Sequence, residues 1–196
     1  MKYSEYSVVI IGSGAAGLYA ALKMSEQINL PDGVLLVTKY SLGESNSRYA
    51  QGGIVGVLHQ NPTDNIELHT EDTIKAGAGL SEPEVVKYIS GMSDEVINDL
   101  MENYGVNFDK DASGNLNFTL EAAHSCRRIL HVGGDATGKG ITDVLVKAVL
   151  KNPNITVLEH TIAAELLVNS ENECKGAIVY NDLTGEHEIV YSSAVV

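Results

Sequence analysis

Short apolar runs alternate with a helical pattern over the first forty residues. Residues 8–11 are all apolar and end at Gly12, which is typical of a parallel strand covered on both faces. Residues 15–27 carry apolar side chains at helical spacing, and residues 34–37 form a second apolar run. Strand, helix and strand in this order predict a βαβ unit, and hence a Rossmann-like α/β fold with a central parallel sheet.

Two longer helices are predicted in the middle of the chain. Residues 38–62 show little periodicity and are interpreted as a functional loop with short strand pieces. Thr63 or Asp64 could cap a helix that reaches about Ala76. Residues 81–84 have the form of a capping box, and the helix after them is predicted to end at Gly105. Its core stripe would consist of Val85, Ile89, Met92, Val96 and Leu100.

The last third of the chain reads as one helix followed by strands. Residues 109–115 are polar and indicate a turn within a hairpin. A helix is expected from about residue 140 to 150, and a small antiparallel β element is expected beside the parallel sheet. The predicted strands are residues 155–158, 163–168, 175–180 and 188–191, and a new apolar strand begins at Ala194. The chain stops within that run, which favours a truncated protein.

A glycine-rich turn follows the first strand: Gly12, Ser13, Gly14, Ala15, Ala16 and Gly17. In this GxGxxG pattern the first glycine permits the tight turn, the second lets a pyrophosphate approach the backbone, and the third lets the helix pack on the strand. The phosphates would lie at the positive end of the helix. The motif alone is weak, but its place between a buried strand and a helix predicts a dinucleotide site.

The residues after the second strand favour FAD over a nicotinamide cofactor. Nicotinamide enzymes place Asp or Glu there to bind a ribose hydroxyl, whereas this chain has Thr38 and Lys39. Asp32 precedes the strand and is therefore in the wrong place. Lys39 is instead suited to lie beside the pyrophosphate or ribose.

Other chemistry is weakly supported. Residues 133–140 nearly form a P-loop, but Gly140 replaces the Ser or Thr that binds magnesium, so a helix turn capped by Asp135 or Thr137 is preferred. His59 and His69 lack metal-ligand spacing and a third ligand, so no metal is expected. His124, Arg127 and Arg128 could bind an anion or form a solvated basic face.

Composition limits the partners and the compartment. A formal charge of −13 argues against nucleic acid and against an anionic membrane surface. Cys126 and Cys174 are far apart without metal-site or disulfide spacing, which is typical of a reducing cytosol. The first apolar run is too short for a signal peptide or a membrane span, so a cytoplasmic protein is expected.

With these motifs in view, the chain resembles the fumarate reductase, succinate dehydrogenase and L-aspartate oxidase flavoproteins. The resemblance rests on residues 12–17, on Thr38 and Lys39, and on Asn46, Ser47, Arg48, Tyr49, Ala50, Gln51, Gly52 and Gly53, with further matches at 71–79, 121–131 and 135–138. It implies that residues 1–196 are the N-terminal part of an FAD-binding domain, without the capping and C-terminal domains. It also implies that residues 12–17, Lys39, residues 46–53, Ile162 and Ala163 bind FAD.

Two positions distinguish branches of this family. Membrane-complex members attach flavin through a histidine where this chain has Asn46, so the resemblance implies noncovalent FAD. Residues 49–53 and 124–128 look like the L-aspartate oxidase branch. Departures are Arg48, where an aromatic is usual, and Ala122 and Ala123, where glycines are usual.

The resemblance implies oxidation of L-aspartate to iminoaspartate, with hydride passing to the flavin and then to oxygen or fumarate. The product would pass to quinolinate synthase in NAD biosynthesis. Glu121 would orient the substrate ammonium, since a carboxylate attracts that cation and repels the carboxylates of succinate. The alternatives are a soluble fumarate reductase-type flavoprotein and a flavin-binding fragment without turnover.

Overall fold

The computed structural model describes residues 2–26 and 31–196. The chain divides into two compact units, a first unit of residues 1–48 and 142–196 and a second unit of residues 49–141. The predicted C-terminal limit of the first helix, Gln27, lies outside the described residues. In chain order the elements are β1 (Lys2–Ile11), α1 (Ala15–Ser25), β2 (Val34–Val37), β3 (Ile54–Val55), α2 (Ile66–Ala76), α3 (Pro83–Glu102), β4 (Ile129–Leu130), α4 (Thr137–Lys151), β5 (Ile155–Leu158), β6 (Thr161–Val168), β7 (Cys174–Asn181) and β8 (His187–Val195).

The first unit is built on a six-stranded sheet with the order β5-β2-β1-β8-β7-β6. β1 pairs in parallel with β2 and β8, and β2 pairs in parallel with β5. β7 pairs antiparallel with both β6 and β8. Apolar side chains from the parallel and the antiparallel strands of this sheet pack into one core: Val9, Leu35, Val37, Ala177, Val179 and Val190. The predicted α/β class, a parallel sheet with an antiparallel addition, is confirmed.

Two strands are longer than the apolar runs predicted. β1 begins at Lys2 rather than at residue 8, because its polar first half pairs with β8, with Lys2 opposite Glu188. β8 is one strand, whereas two were predicted, one at 188–191 and one from Ala194. Its interruption by serines is tolerated because the buried Ser192 hydroxyl bonds to the Ala194 carbonyl at 2.7 Å.

In the second unit, β3 and β4 form a two-stranded antiparallel sheet. α2 begins after Asn65, whose side-chain oxygen accepts from the Leu68 N–H at 2.8 Å. The predicted caps, Thr63 and Asp64, are therefore wrong by one or two residues. Asp64 is not available for capping because its carboxylate binds Arg128.

The predicted start of α3 is wrong, and its predicted core stripe is right at Leu100 but wrong at Val85 and Ile89. The helix begins at Pro83 after Glu82, and no side chain caps it, so the Ser81 capping box does not form. Proline suits the first helical position because an amide there has no partner within the helix. The buried residues are Ser90, Ile97 and Leu100, whereas Val85 and Ile89 are 51% and 62% exposed. Ser90 is polar, so a pattern of apolar residues does not identify it as buried. The buried face of α3 was therefore predicted at the wrong positions.

The polar turn at 109–115 is confirmed, with Lys110 bridged antiparallel to Leu116 and Gly114 at a φ of 86°. α4 begins at Thr137, three residues before the predicted start, and ends at Lys151 as expected. Among residues 2–26 and 31–196, no helix combines the length and apolar character that crossing a membrane requires.

Candidate functional site

The turn between β1 and α1 has the backbone geometry that a dinucleotide fingerprint needs. Gly12 has a φ of 111°, and its N–H donates to the Val37 carbonyl at 2.8 Å. That φ is in the region where side chains are strained and glycine is not. A β-carbon on Gly17 would lie 2.0 Å from the Gly12 carbonyl oxygen, so only glycine lets the helix approach the strand this closely.

The N-terminus of α1 has the properties of a diphosphate site. Gly14 is the N-cap and provides no side-chain cap. The first amides of a helix lack acceptors within the helix. In α1 these are the amides of Ala15, Ala16 and Gly17, of which Ala15 N–H donates to the Ser47 hydroxyl at 3.1 Å. Gly14 leaves room beside this hydroxyl, since a β-carbon there would lie 3.1 Å from Ser47 Oγ. An anionic group close to the backbone therefore fits this end of the helix, as the FAD pyrophosphate requires.

A buried pair of hydroxyls fixes the turn to the neighbouring strand. Ser13 Oγ and Thr38 Oγ1 are 2.8 Å apart, and Gly43 N–H donates to Ser13 Oγ at 3.0 Å. The three residues thus join the glycine turn, the end of β2 and the following loop. Sequence reasoning assigned no structural role to Thr38, because nothing local indicates that its hydroxyl meets one 25 residues away.

Lys39, Ile162 and Ala163 lie at the same edge of the first unit. The Thr38 carbonyl accepts from Thr161 N–H at 2.9 Å, so β6 starts beside the end of β2. Lys39 is exposed, with its Nζ 5.2 Å from the Tyr40 ring centroid. Ile162 and Ala163 are half-buried in β6. The structure thus brings the assigned lysine near the two assigned strand residues.

The assigned residues 46–48 complete the part of the loop that belongs to the first unit. Asn46 is exposed, and Ser47 binds the Ala15 amide. Arg48 forms an ion pair with Asp143, so its guanidinium already has an anionic partner within this unit. Sequence reasoning did not identify Asp143, which is 95 residues away along the chain.

The assigned residues 49–53 lie in the second unit. Tyr49, Ala50, Gln51 and Gly52 are exposed, and the Ala50 carbonyl accepts from Gly138 N–H at 3.0 Å. Gly53 lies against β4, where an added β-carbon would be 2.6 Å from the Leu130 carbonyl oxygen. The backbone of this loop is therefore held at Ala50 and Gly53.

Glu121, the assigned substrate-binding residue, is held on one side and open on the other. Its Oε1 lies 3.1 Å from Nε2 of His131, and 46% of its side chain is exposed. Ala123 follows at a φ of 69°, the left-handed region, where the related proteins were expected to have glycine. The loop therefore keeps a glycine-like backbone despite the alanine.

Arg128 fits neither interpretation made from the sequence. It is fully buried, and its guanidinium donates to Asp64 at 2.7 and 2.8 Å and also to Asp72. It is therefore neither a solvated cation nor free to bind a ligand anion. The hydrogen bonds to Asp64 raise the pKa of Arg128 above its ordinary value. Burial would raise the pKa of Asp72, but hydrogen bonds from Ser125 and Arg128 outweigh it and lower that pKa to about 2.

In the P-loop-like segment, residues 133–140, the amides of the two glycines at its start already bind a carboxylate and are not available for a phosphate. The amides of Gly133 and Gly134 donate to the two carboxylate oxygens of Asp109 at 2.8 and 2.9 Å. Gly140 lies against Val132, where a β-carbon would be 2.4 Å from a methyl group. Thr137 accepts from Val132 N–H at 3.2 Å. Within the described part of the chain, no group of three His, Cys, Asp or Glu side chains is arranged to hold a metal.

Comparisons with known proteins agree with the geometry of the turn. The FAD binding domain family model matches residues 7–196. An L-aspartate oxidase of Agrobacterium fabrum is 49% identical over 160 residues, which cover 81% of this chain and 29% of that protein. An L-aspartate oxidase of a Nostoc species is 40% identical over 178 residues, which cover 90% of this chain and 29% of that protein. A quinol fumarate reductase chain of E. coli superposes with a TM-score of 0.91 at 25% identity, covering 100% of this chain and 32% of that one.

The chain spans about a third of the length of these relatives. The match begins one residue before the buried half of β1 and includes the glycine turn and the Thr38–Lys39 pair. The FAD inferred from that pair is therefore the cofactor of the matching family. The similarity to L-aspartate oxidases inferred from residues 49–53 and 124–128 is confirmed. This chain therefore belongs to the FAD binding domain family.

Proposed function

We propose that this chain is the FAD-binding part of an L-aspartate oxidase, which converts L-aspartate to iminoaspartate. The observation that carries the proposal is the half-exposed carboxylate of Glu121. Glu121 lies in residues 121–131, one of the stretches that carry the family resemblance. The 49% identity to the Agrobacterium enzyme supports the same substrate. Bound FAD would supply the acceptor for the hydride that the α-carbon of aspartate loses.

The chain's own residues hold that cofactor in this proposal. Gly12 permits the tight turn, Gly14 leaves the backbone open to the pyrophosphate, and the amides at the start of α1 attract its charge. Gly17 lets α1 pack closely on β1. Lys39 follows β2, and Ile162 and Ala163 follow Thr161, whose N–H donates to the Thr38 carbonyl at 2.9 Å. Lys39 adds a cation for the phosphate or ribose there. Residues 46–53 supply the loop against the flavin. Asn46 has no nucleophilic ring nitrogen, so FAD is held without a covalent bond.

Glu121 provides the selectivity. The α-ammonium of aspartate donates a charge-assisted hydrogen bond to this carboxylate, whereas succinate and fumarate have no cationic donor. The same carboxylate repels a dicarboxylate that lacks the ammonium. The residue therefore aligns the α-carbon and discriminates between substrates through one interaction.

Steady-state kinetics of Glu121→Gln tests the function in the FAD-loaded enzyme at the full length of its relatives. Losing a charge-assisted bond costs about 1.5–3 kcal/mol, so kcat/KM for aspartate should fall by roughly one to two decades. Fumarate reduction should not fall, because fumarate makes no ammonium contact and the charge that repels it is removed. Glu71→Gln, a similar change at an exposed position of α2, serves as the control. Equal loss on both substrates, or a parent enzyme without aspartate oxidation, would contradict the proposal.

A second candidate is a soluble fumarate reductase-type flavoprotein, which the TM-score of 0.91 to a quinol fumarate reductase supports. A parent enzyme that reduces fumarate but does not oxidise aspartate would establish it. The third candidate is a flavin-binding fragment without turnover. FAD binding by residues 1–196 without oxidation of aspartate by that chain would support that case.

We further propose that oxygen or fumarate reoxidises the flavin, and that the product is used by quinolinate synthase in the cytoplasm. Oxygen consumption and fumarate-dependent turnover, measured separately, identify the acceptor. A coupled assay in which quinolinate synthase forms quinolinate only when the oxidase and aspartate are present tests the pathway step. No quinolinate in that assay would contradict it.

A further inference from the structure

His131 is fixed on one side by a short turn of the second unit. Its Nδ1 lies 3.0 Å from the Gly134 carbonyl oxygen. A carbonyl only accepts, so Nδ1 carries a hydrogen and donates it. The turn itself is held by Asp109, whose carboxylate accepts the amides of Gly133 and Gly134. Asp109 N–H also donates to the His131 carbonyl at 2.8 Å, so the backbone of the histidine is held as well.

The other ring nitrogen faces Glu121. Nε2 lies 3.1 Å from Glu121 Oε1 and 2.9 Å from the Thr119 hydroxyl. A carboxylate only accepts, so the contact with Glu121 is a hydrogen bond in the doubly protonated ring, in which both nitrogens donate. The His131 side chain is 17% exposed, compared with 46% for Glu121. A mostly buried ring thus meets a half-exposed carboxylate, and the exposed part of that carboxylate remains open to a ligand.

The ring also lies against the loop assigned to the flavin. A β-carbon on Gly53 would be 3.1 Å from Cε1 of His131, so the missing side chain of Gly53 makes room for the ring. Gly53 ends the assigned loop and precedes β3. One imidazole therefore contacts the end of this loop and the carboxylate of Glu121.

We propose that His131 is a positioning residue that sets the carboxylate of Glu121 beside the 49–53 loop for an α-ammonium. The inference rests on the proposed function of Glu121. It adds that His131 fixes the orientation of the Glu121 side chain. Without His131, Glu121 is a flexible side chain on a loop, and its alignment with the ammonium is lost. The effect is specific to amino substrates, because fumarate does not use the ammonium contact.

Two amide replacements separate the two sides of the ring, in the FAD-loaded enzyme at the full length of its relatives. His131→Gln extends far enough to donate to Glu121 in the manner of Nε2, whereas His131→Asn can only replace Nδ1 toward Gly134. For aspartate, we expect His131→Asn to lower kcat/KM about tenfold and His131→Gln less than about threefold. Fumarate reduction should change less than about twofold in both. Matching urea midpoints and FAD affinities show that both variants are folded.

A double-mutant cycle shows whether His131 acts through Glu121. In a Glu121→Gln background, His131→Asn should lower aspartate kcat/KM by no more than about twofold further. Full additivity, equal losses for both amides, or equal losses on aspartate and fumarate would overturn the positioning role. These outcomes differ from a failure of the proposed function, in which Glu121→Gln alone shows no preference between the two substrates.

Discussion

A β-carbon on Gly17 would lie 2.0 Å from the carbonyl oxygen of Gly12. Real β-carbons do not approach a backbone atom this closely, so either the helix or the strand would have to move. The two glycines thus couple the turn to the packing of α1 on β1. A change at Gly17 therefore affects both the proposed cofactor turn and the packing of the first unit.

Gly17→Ala should therefore destabilise the protein. Overpacking of this kind costs about 1–3 kcal/mol, and urea unfolding followed by circular dichroism measures it. Gly91→Ala in α3 is the matched control, because a β-carbon there meets nothing within 4 Å. The control should gain about 0.5–1 kcal/mol from helix propensity. Equal midpoints for the two variants would show that α1 and β1 are not in close contact.

The lowered pKa of Asp72 predicts how the free energy of unfolding changes with pH. Its pKa is about 2 in the folded protein against 3.8 for the free side chain, and its side chain is 16% exposed. A depressed carboxyl pKa stabilises the folded state above the unfolded value, and this stability is lost as the pH falls from about 4 to 2. The loss amounts to about 2 kcal/mol.

Urea midpoints of the parent and Asp72→Asn, measured between pH 2 and 7, test this contribution. The parent should be the more stable near neutral pH, and the difference should shrink toward pH 2, because the variant lacks the titrating carboxylate. A constant difference over the whole range would mean that Asp72 is not linked to Arg128 and Ser125 as the structure shows.

Ala123 offers a stabilising change. A left-handed backbone destabilises a non-glycine residue by about 1–2 kcal/mol, and glycine removes this strain. Glycine also makes the unfolded chain more flexible, which offsets roughly 0.4–1 kcal/mol of the gain. Ala123→Gly should therefore gain about 0.5–1 kcal/mol. Ala122→Gly, the exposed neighbour whose φ is not positive, should lose a similar amount. A loss in both variants would argue against the left-handed conformation.

Local signals explain why the start of the site could be predicted from the sequence. Residues 8–17 and 34–37 combine apolar runs with glycines at fixed spacing, and all the relevant contacts form within about thirty residues. The βαβ unit and the positions of Gly12, Gly14 and Gly17 follow from that pattern. The antiparallel strands β6 to β8 were also visible, because polar turns separate apolar runs.

Contacts between distant residues could not be predicted in this way. Arg128 resembles a surface cation in the sequence, and only the fold brings Asp64 and Asp72 to it. The polar half of β1 gives no strand signal until β8, far along the chain, pairs with it. The contact of His131 with Glu121 depends on the turn at Gly133 and Gly134, so neither spacing nor residue type indicated it.

The absence of a histidine at position 46 predicts how flavin is released. Acid precipitation of the FAD-loaded protein should leave the yellow colour in the supernatant, because a carboxamide cannot form the covalent link. Absorbance spectra of pellet and supernatant measure the partition. A flavin-coloured pellet that survives washing in denaturant would show a covalent bond and refute noncovalent attachment.

The most direct test of FAD binding at the 12–17 turn is a flavin-fluorescence titration of residues 1–196. Gly14→Val places a side chain where the diphosphate must approach, beside Ser47, while Gly14 has a φ of −68° that valine can adopt. We expect the parent and the Gly91→Ala control to bind FAD with the same affinity, and Gly14→Val to bind at least about tenfold more weakly, a loss of about 1.4 kcal/mol. Equal affinity of Gly14→Val and the parent, with both proteins folded, would contradict the assignment of the FAD pyrophosphate to this turn.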